Sequence, residues 1–191
     1  MKAVTEPASD PRFDPDTCKF NWQSLAAAEC AIPDELHYWL TLPSSLTQAL
    51  KQRSGAFSVE VLDQRRVSLT LPIDGFNDLL GPCPMFSRKV LLKNGNTPWV
   101  AAHTLIPERS LERGGLEQLT QLANQPLGEL LFATPGVTKD HLQVCATVQG
   151  WGRRARYLLN HQPLLVSEFF LPELIAYEHK RLTLLRQAHP T

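Results

Sequence analysis

The chain has 191 residues and a mass of 21.4 kDa, which is the size of one domain. Hydrophobic residues make up 43% of it and charged residues 20%, as in an ordinary globular protein. Lysine and arginine number 19, as do aspartate and glutamate, so the formal net charge is zero. Because a neutral chain has no overall field that attracts nucleic acid, we expect no nucleic-acid partner.

Residues 1–21 are predicted to form a flexible leader, because proline and aspartate are frequent there and no apolar period appears. This segment lacks the apolar core of a signal peptide, and no run of about 18 apolar residues occurs in the chain. We therefore expect a cytoplasmic monomer without an integral membrane segment. Residues 22–191 are predicted to form one domain.

The first part of this domain is predicted to hold short helices. Small apolar residues indicate one at 22–32, and Asp34 can cap a second. Ser44 or Ser45 can cap a third helix, which Gly55 ends.

The rest of the chain alternates between strand and helix patterns. Prolines and glycines make 72–84 a loop, and Asn94-Gly95 predicts a hairpin. The predicted strands are 57–62, 67–71, 86–93, 98–105, about 140–148, 153–159 and 163–171, and the predicted helices are 111–132 and 172–187. Short turns between most strands indicate an α+β domain with an antiparallel sheet.

Two charges lie where the strand pattern places core residues. Arg88 shares a strand face with Phe86 and Val90, and Glu168 shares one with Val166 and Phe170. A bare charge in such a place costs several kcal/mol or more, so each must be paired or face a polar cavity. The sequence leaves three arrangements open: a buried salt bridge between the two side chains, a polar edge of the sheet, or a ligand pocket.

A ligand pocket that contains these two side chains would have a defined chemistry. Arg88 would bind a carboxylate through two parallel hydrogen bonds. Glu168 would exchange a proton with the ligand. No P-loop or glycine-rich dinucleotide motif is present, so we expect no nucleotide cofactor.

A basic run follows at residues 151–156, in which Arg154 and Arg156 share one strand face and Arg153 takes the other. The run is either a solvated face or a positive entrance that attracts a multiply charged anion. His103 lies alone on another predicted strand, where a structural role is the simpler interpretation.

Four cysteines, at positions 18, 30, 83 and 145, lie far apart and form no C-x-x-C pair or zinc-ligand cluster. We therefore expect reduced thiols and no bound metal.

Ordered segments over about residues 36–172 carry a family resemblance. These segments are Tyr38-Trp39-Leu40, the Arg88 strand through Asn94-Gly95 to Pro98-Trp99, Thr104 to Pro107, Pro126-Leu127-Gly128, Leu131-Phe132, Trp151-Gly152-Arg153-Arg154-x-Arg156, and Pro163-Leu164-Leu165-Val166-Ser167-Glu168-x-Phe170-Leu171-Pro172. With these segments in this order, the chain resembles the bacterial chorismate pyruvate-lyases. That family converts chorismate to 4-hydroxybenzoate and pyruvate at the start of the ubiquinone pathway.

The resemblance implies one α+β domain with an antiparallel sheet of about six strands and helical flaps over a buried ligand cavity. It also implies that no metal or organic cofactor is needed. The family's catalytic and substrate-binding positions fall on Arg88 and Glu168, and its backbone contacts fall on Leu46 and Leu127. We expect Arg154 or Arg156 to contact the second carboxylate of chorismate. His103 stands where the family has arginine.

Two other interpretations of the domain remain open at this point. The same kind of fold serves as a non-catalytic module that binds small aromatic acids in some transcription regulators. The apolar stripe of the closing helix, at 171–185, either packs against the domain or meets a membrane surface or a partner.

Overall fold

The computed structural model describes residues 20–69, 73, 83–114, 116–148 and 150–188. Within these residues, seven antiparallel strands form one sheet in the order β1-β5-β6-β7-β4-β3-β2. The strands are β1 (Gln23–Ser24), β2 (Phe57–Ser68), β3 (Pro84–Asn94), β4 (Thr97–Pro107), β5 (Thr138–Thr147), β6 (Gly150–Leu159) and β7 (Gln162–Phe170). Because β1 has only two residues, the expected sheet of about six strands in an α+β domain is confirmed.

Six α-helices connect or cover these strands in the described residues. They are α1 (Leu25–Ala28), α2 (Asp34–Thr41), α3 (Leu46–Arg53), α4 (Glu108–Gly114), α5 (Leu127–Ala133) and α6 (Pro172–Ala188). Helix α3 begins where predicted, because the Ser45 hydroxyl accepts a hydrogen bond from the Gln48 amide at 3.3 Å. Short 3-10 segments lie at Glu29–Ala31 and Glu117–Gln121.

The hairpin at Asn94-Gly95 is confirmed: β3 pairs with β4, and Gly95 has the positive φ of 58° that this turn requires. The continuous helix predicted at 111–132 is wrong. The chain there forms α4, a 3-10 turn and α5, because Pro126 cannot continue a helix and instead precedes the first turn of α5.

The strand predicted at 57–62 and the first two residues of the strand predicted at 67–71 form the single strand β2, which has a register shift between Val61 and Asp63. Of the rest of the second predicted strand, Leu69 lies outside β2 and 70–71 lie outside the described residues. The predicted loop 72–84 lies outside the described residues, apart from Ile73, Cys83 and Pro84. The predicted leader also lies outside them, apart from Phe20 and Asn21.

Two core clusters lie on the face of the sheet that the helices cover. The first packs α2 and α3 against Val90 and Phe170, and the second packs α5 against Val166 and Tyr157. Leu174 and Ile175 of α6 pack on the first cluster, whereas Leu184 and Leu185 near its end are exposed. The boundary between the two clusters is where the site described below forms.

Candidate active site

A cavity of about 510 Å³ lies between the sheet and the first turns of α3 and α5. Its apolar walls include Val90 and Leu92 of β3 and Leu131 of α5. A mostly apolar lining with a few polar groups is typical of small-molecule sites.

Five of the lining side chains are polar: Thr47, Arg88, Thr104, Tyr157 and Glu168. The sequence predicted that Arg88 and Glu168 each lie on a core-facing side of a strand, and the strand pairing places both on the same face of the sheet. They lie on β3 and β7, with β4 between them, so they approach the cavity from different positions along the sheet.

Arg88 is buried, with 3% of its surface exposed, and its charge has no carboxylate partner among the described residues. Its Nη2 donates to the carbonyl oxygens of Ala123 at 2.8 Å and Gln125 at 3.0 Å. Its Nε is buried without a hydrogen-bond partner there. Burial lowers the pKa of the guanidinium, which still remains protonated at physiological pH. The side chain is therefore held by neutral carbonyls, with binding capacity left for an anion.

Glu168 forms a salt bridge with a different cation, Arg153. Its Oε2 accepts a 2.5 Å hydrogen bond from Nε of Arg153, the residue directly opposite on β6, and 12% of the Glu168 side chain is exposed. Oε1 has no hydrogen-bond partner among the described side chains and backbone. Since Arg88 and Glu168 have separate partners, the proposed salt bridge between them is excluded.

Arg153 joins this carboxylate to the base of the α3 flap. Its Nη1 donates to the carbonyl oxygens of Trp39 at 2.6 Å and Leu42 at 3.2 Å, at the end of α2 and just after it. The side chain is 2% exposed, so these bonds form away from water. Sequence reasoning missed this role, although the alternation within 151–156 did place Arg153 on the face opposite to Arg154 and Arg156.

Arg154 and Arg156, which the sequence analysis assigned to the second carboxylate of the substrate, do not line the cavity. Both side chains lie on the opposite face of β6 from Arg153, away from the cavity. Arg154 donates from Nε to Gln143 at 2.8 Å and lies over the Trp22 ring, and Arg156 pairs with Asp140. The hydrogen bond between them lowers the pKa of Asp140 and raises the pKa of Arg156.

Leu46 and Leu127 both line the cavity and are the first residues of α3 and α5. The first amides of a helix have no acceptor within the helix, so their N–H groups remain available to a ligand. The two helices approach closely here: a Cβ added to Gly128 would lie 2.6 Å from Oγ1 of Thr47.

His103 lies on the far face of the sheet, with 4% of its surface exposed. Its Nε2 is 2.8 Å from the Ser87 hydroxyl, so the histidine has a structural partner outside the cavity.

In the described part of the chain, no group of three acidic, histidine or cysteine side chains could hold a metal ion. No helix in that part is long and apolar enough to cross a membrane.

Comparison with known proteins identifies relatives of this chain. The sequence profile of a family described as chorismate lyase matches residues 19–181. A probable chorismate pyruvate-lyase of Aliivibrio fischeri is 36% identical over 166 residues, which are 83% of this chain and 89% of that protein. A probable chorismate pyruvate-lyase of Photobacterium profundum is 34% identical over 148 residues, covering 75% and 82% of the two chains.

Among solved structures, the C-terminal domain of the histidine utilization repressor of Pseudomonas syringae aligns with a TM-score of 0.43 and 9% identity. The alignment covers 61% of this chain and 92% of that one.

The contact between α3 and α5 gives a stability prediction. Gly128→Ala should lower the free energy of unfolding by about 1–2 kcal/mol, because the new methyl overlaps Thr47 Oγ1. Denaturant unfolding measures the change. Gly55→Ala is the matched control, since a Cβ there meets nothing within 4 Å. Adding Thr47→Ala to Gly128→Ala should recover stability. If Gly128→Ala is as stable as Gly55→Ala, the two helices do not meet as described.

Proposed function

Because this chain belongs to the chorismate lyase family, we propose that it converts chorismate to 4-hydroxybenzoate and pyruvate, the first step of ubiquinone biosynthesis. The observation that carries this proposal is the cavity in which the buried Arg88 has no acidic partner among the described residues and Glu168 lies two strands away. A cation and a carboxylate placed in this way suit the two ends of a small hydroxylated ring acid.

The reaction needs two bonds to break on the ring. The ether bond at C3 breaks, and its electron pair leaves with the enolpyruvyl oxygen. The hydrogen on C4 leaves as a proton, and its electrons complete the aromatic ring. The released enol then takes up a proton at its methylene carbon to become pyruvate. Aromatisation drives the reaction, so the protein must orient the substrate, exclude water and accept one proton.

Arg88 is assigned to the ring carboxylate. The positive charge of the guanidinium attracts the carboxylate, and the buried Nε, which has no partner, supplies a charged hydrogen-bond donor. The first-turn amides at Leu46 and Leu127 would add neutral donors at the same end of the cavity. Since all of these groups are fixed before the ligand arrives, binding costs little reorganisation.

Glu168 is assigned to the C4 end, as the base that accepts the C4 proton. Its Oε2 is fixed by Arg153, which leaves Oε1 to reach the substrate. Arg153 acts here as a positioning residue, because it holds the carboxylate in one orientation and lies outside the cavity lining. A fixed base at hydrogen-bond distance typically contributes about 10²–10⁴ in rate.

Glu168→Gln should therefore reduce turnover of chorismate by about 10²–10⁴, because the amide cannot accept the proton. Pyruvate release measures turnover, and binding of 4-hydroxybenzoate by calorimetry shows that the cavity is intact. Glu60→Gln, on the exposed side of β2, is the control and should match the wild type. Turnover of Glu168→Gln near the wild-type value would remove Glu168 from the chemistry.

Arg88→Ala should weaken binding of 4-hydroxybenzoate by about 2–5 kcal/mol, because it leaves the ligand's buried carboxylate without its cation. Arg88→Lys should retain part of this affinity, since it keeps the charge but loses the hydrogen-bond donors of the guanidinium. Arg65→Ala, which removes an exposed arginine from β2, is the control for the titration. An Arg88→Ala variant that folds and binds with unchanged affinity would place the carboxylate elsewhere.

A further inference from the structure

Chorismate carries two carboxylates, and Arg88 accounts for only one of them. The inference below rests on the proposed function and concerns the carboxylate of the enolpyruvyl side chain. Arg154 and Arg156 lie on the other face of the sheet, so a different cation must bind the enolpyruvyl carboxylate. The charged side chains on the cavity face near Glu168 identify it.

Lys139 lies on β5 directly opposite Tyr157, a residue of the cavity wall. Its Nζ is 6.0 Å from the centre of the Tyr157 ring. Phe132 also lines the cavity, is 44% exposed and meets the Tyr157 ring edge-on at 6.4 Å between ring centres. The cavity therefore reaches solvent on this side, and Lys139 lies one strand beyond Tyr157. Lys139 lies outside the cavity lining, next to Tyr157, and a substituent that extends from the ring past Tyr157 would approach it.

The hydrogen bonds of Lys139 leave its charge unneutralised. Its Nζ donates to the carbonyl oxygen of Leu42 at 3.2 Å, and no carboxylate of the described residues pairs with it. Arg153 donates to the same carbonyl oxygen, so two cations meet at one neutral acceptor. Glu168 neutralises only Arg153. This corner of the site consequently carries an excess positive charge that an anion would balance.

The charge balance of the whole site agrees with a dianion. Arg88, Arg153 and Lys139 contribute three positive charges and Glu168 one negative charge, which leaves two positive charges for two carboxylates. Balanced charge matters here because unpaired ions are costly in a partly buried site.

We propose that Lys139 is the residue that binds the enolpyruvyl carboxylate of the substrate, with its ammonium group held beside Arg153 by the Leu42 carbonyl. The lysine thereby distinguishes the two-carboxylate substrate from the one-carboxylate aromatic product. Once the enolpyruvyl group has left, the product keeps only its interaction with the Arg88 end of the cavity.

Desolvation and, to a smaller extent, the nearby positive charge of Arg153 lower the pKa of Lys139 to about 8, while the negative charge of Glu168 opposes this shift. The titratable and charged groups that face the lysine are Arg153 and Tyr157 on β6 and Glu168 on β7. The connection from Leu42 to Ser45 contributes none. Because the pKa is depressed, the ammonium charge is present below about pH 8 and is lost as the pH rises through that value. An incoming carboxylate would favour the charged form.

The test compares chorismate with 4-hydroxybenzoate in the full-length protein. Lys139→Gln should lower kcat/KM for chorismate about 10–100-fold, the range expected for loss of one charged hydrogen bond. The inhibition constant of 4-hydroxybenzoate should change less than about 2-fold, which also shows that the variant is folded. Lys139→Arg should restore most of the activity. Lys93→Gln removes a half-buried lysine of β3 that pairs with Glu60, and it should behave as the wild type.

A pH profile adds a second measurement. For the wild type, kcat/KM for chorismate should fall as the pH rises above about 8. Lys139→Arg should lack this fall, because a guanidinium stays charged there. An unchanged kcat/KM in Lys139→Gln, or an equal loss of 4-hydroxybenzoate affinity, would overturn the role of Lys139 alone. A wild-type protein that releases no pyruvate from chorismate would overturn the proposed function and this inference with it.

Discussion

Arg88 carries a positive charge into a sheet face that is otherwise apolar, and no acidic side chain of the described residues neutralises it. Burying such a charge is costly, and two backbone carbonyls recover only part of the hydration that is lost. One of them belongs to Ala123, whose φ of 44° is rarely adopted by a residue with a side chain. A carboxylate that binds to Arg88 would offset this cost, because it would neutralise the buried charge.

In the proposed function, the rest of the site keeps that carboxylate away from water and in one orientation. The amino-terminal turns of α3 and α5 cover the cavity, and the close contact at Gly128 holds them together. Arg153 binds both Glu168 and the carbonyl oxygen of Leu42, in the connection between α2 and α3, so the Glu168 carboxylate and this connection share one anchor.

The strands and their faces could be predicted because side chains alternate strictly along a strand, which placed Arg88 and Glu168 in the core. The same alternation predicted that the side chains of Arg153 and Arg154 lie on opposite faces of their strand. The sequence did not show which face of β6 meets the cavity, since that depends on pairing β6 with β7 and on where the helices pack. The broken helix at 111–132 was missed because its leucines keep an apolar pattern across Pro126. Lys139 was missed because its partners, Leu42 and Tyr157, are brought together only by the fold.

A crystal structure with 4-hydroxybenzoate bound tests the central claim most directly. We predict that the ligand lies in the cavity, with its carboxylate on the Arg88 guanidinium and the backbone amides of α3 and α5, and with its phenol oxygen toward Glu168. A ligand bound outside the cavity, or one whose carboxylate lies away from Arg88, would contradict this account.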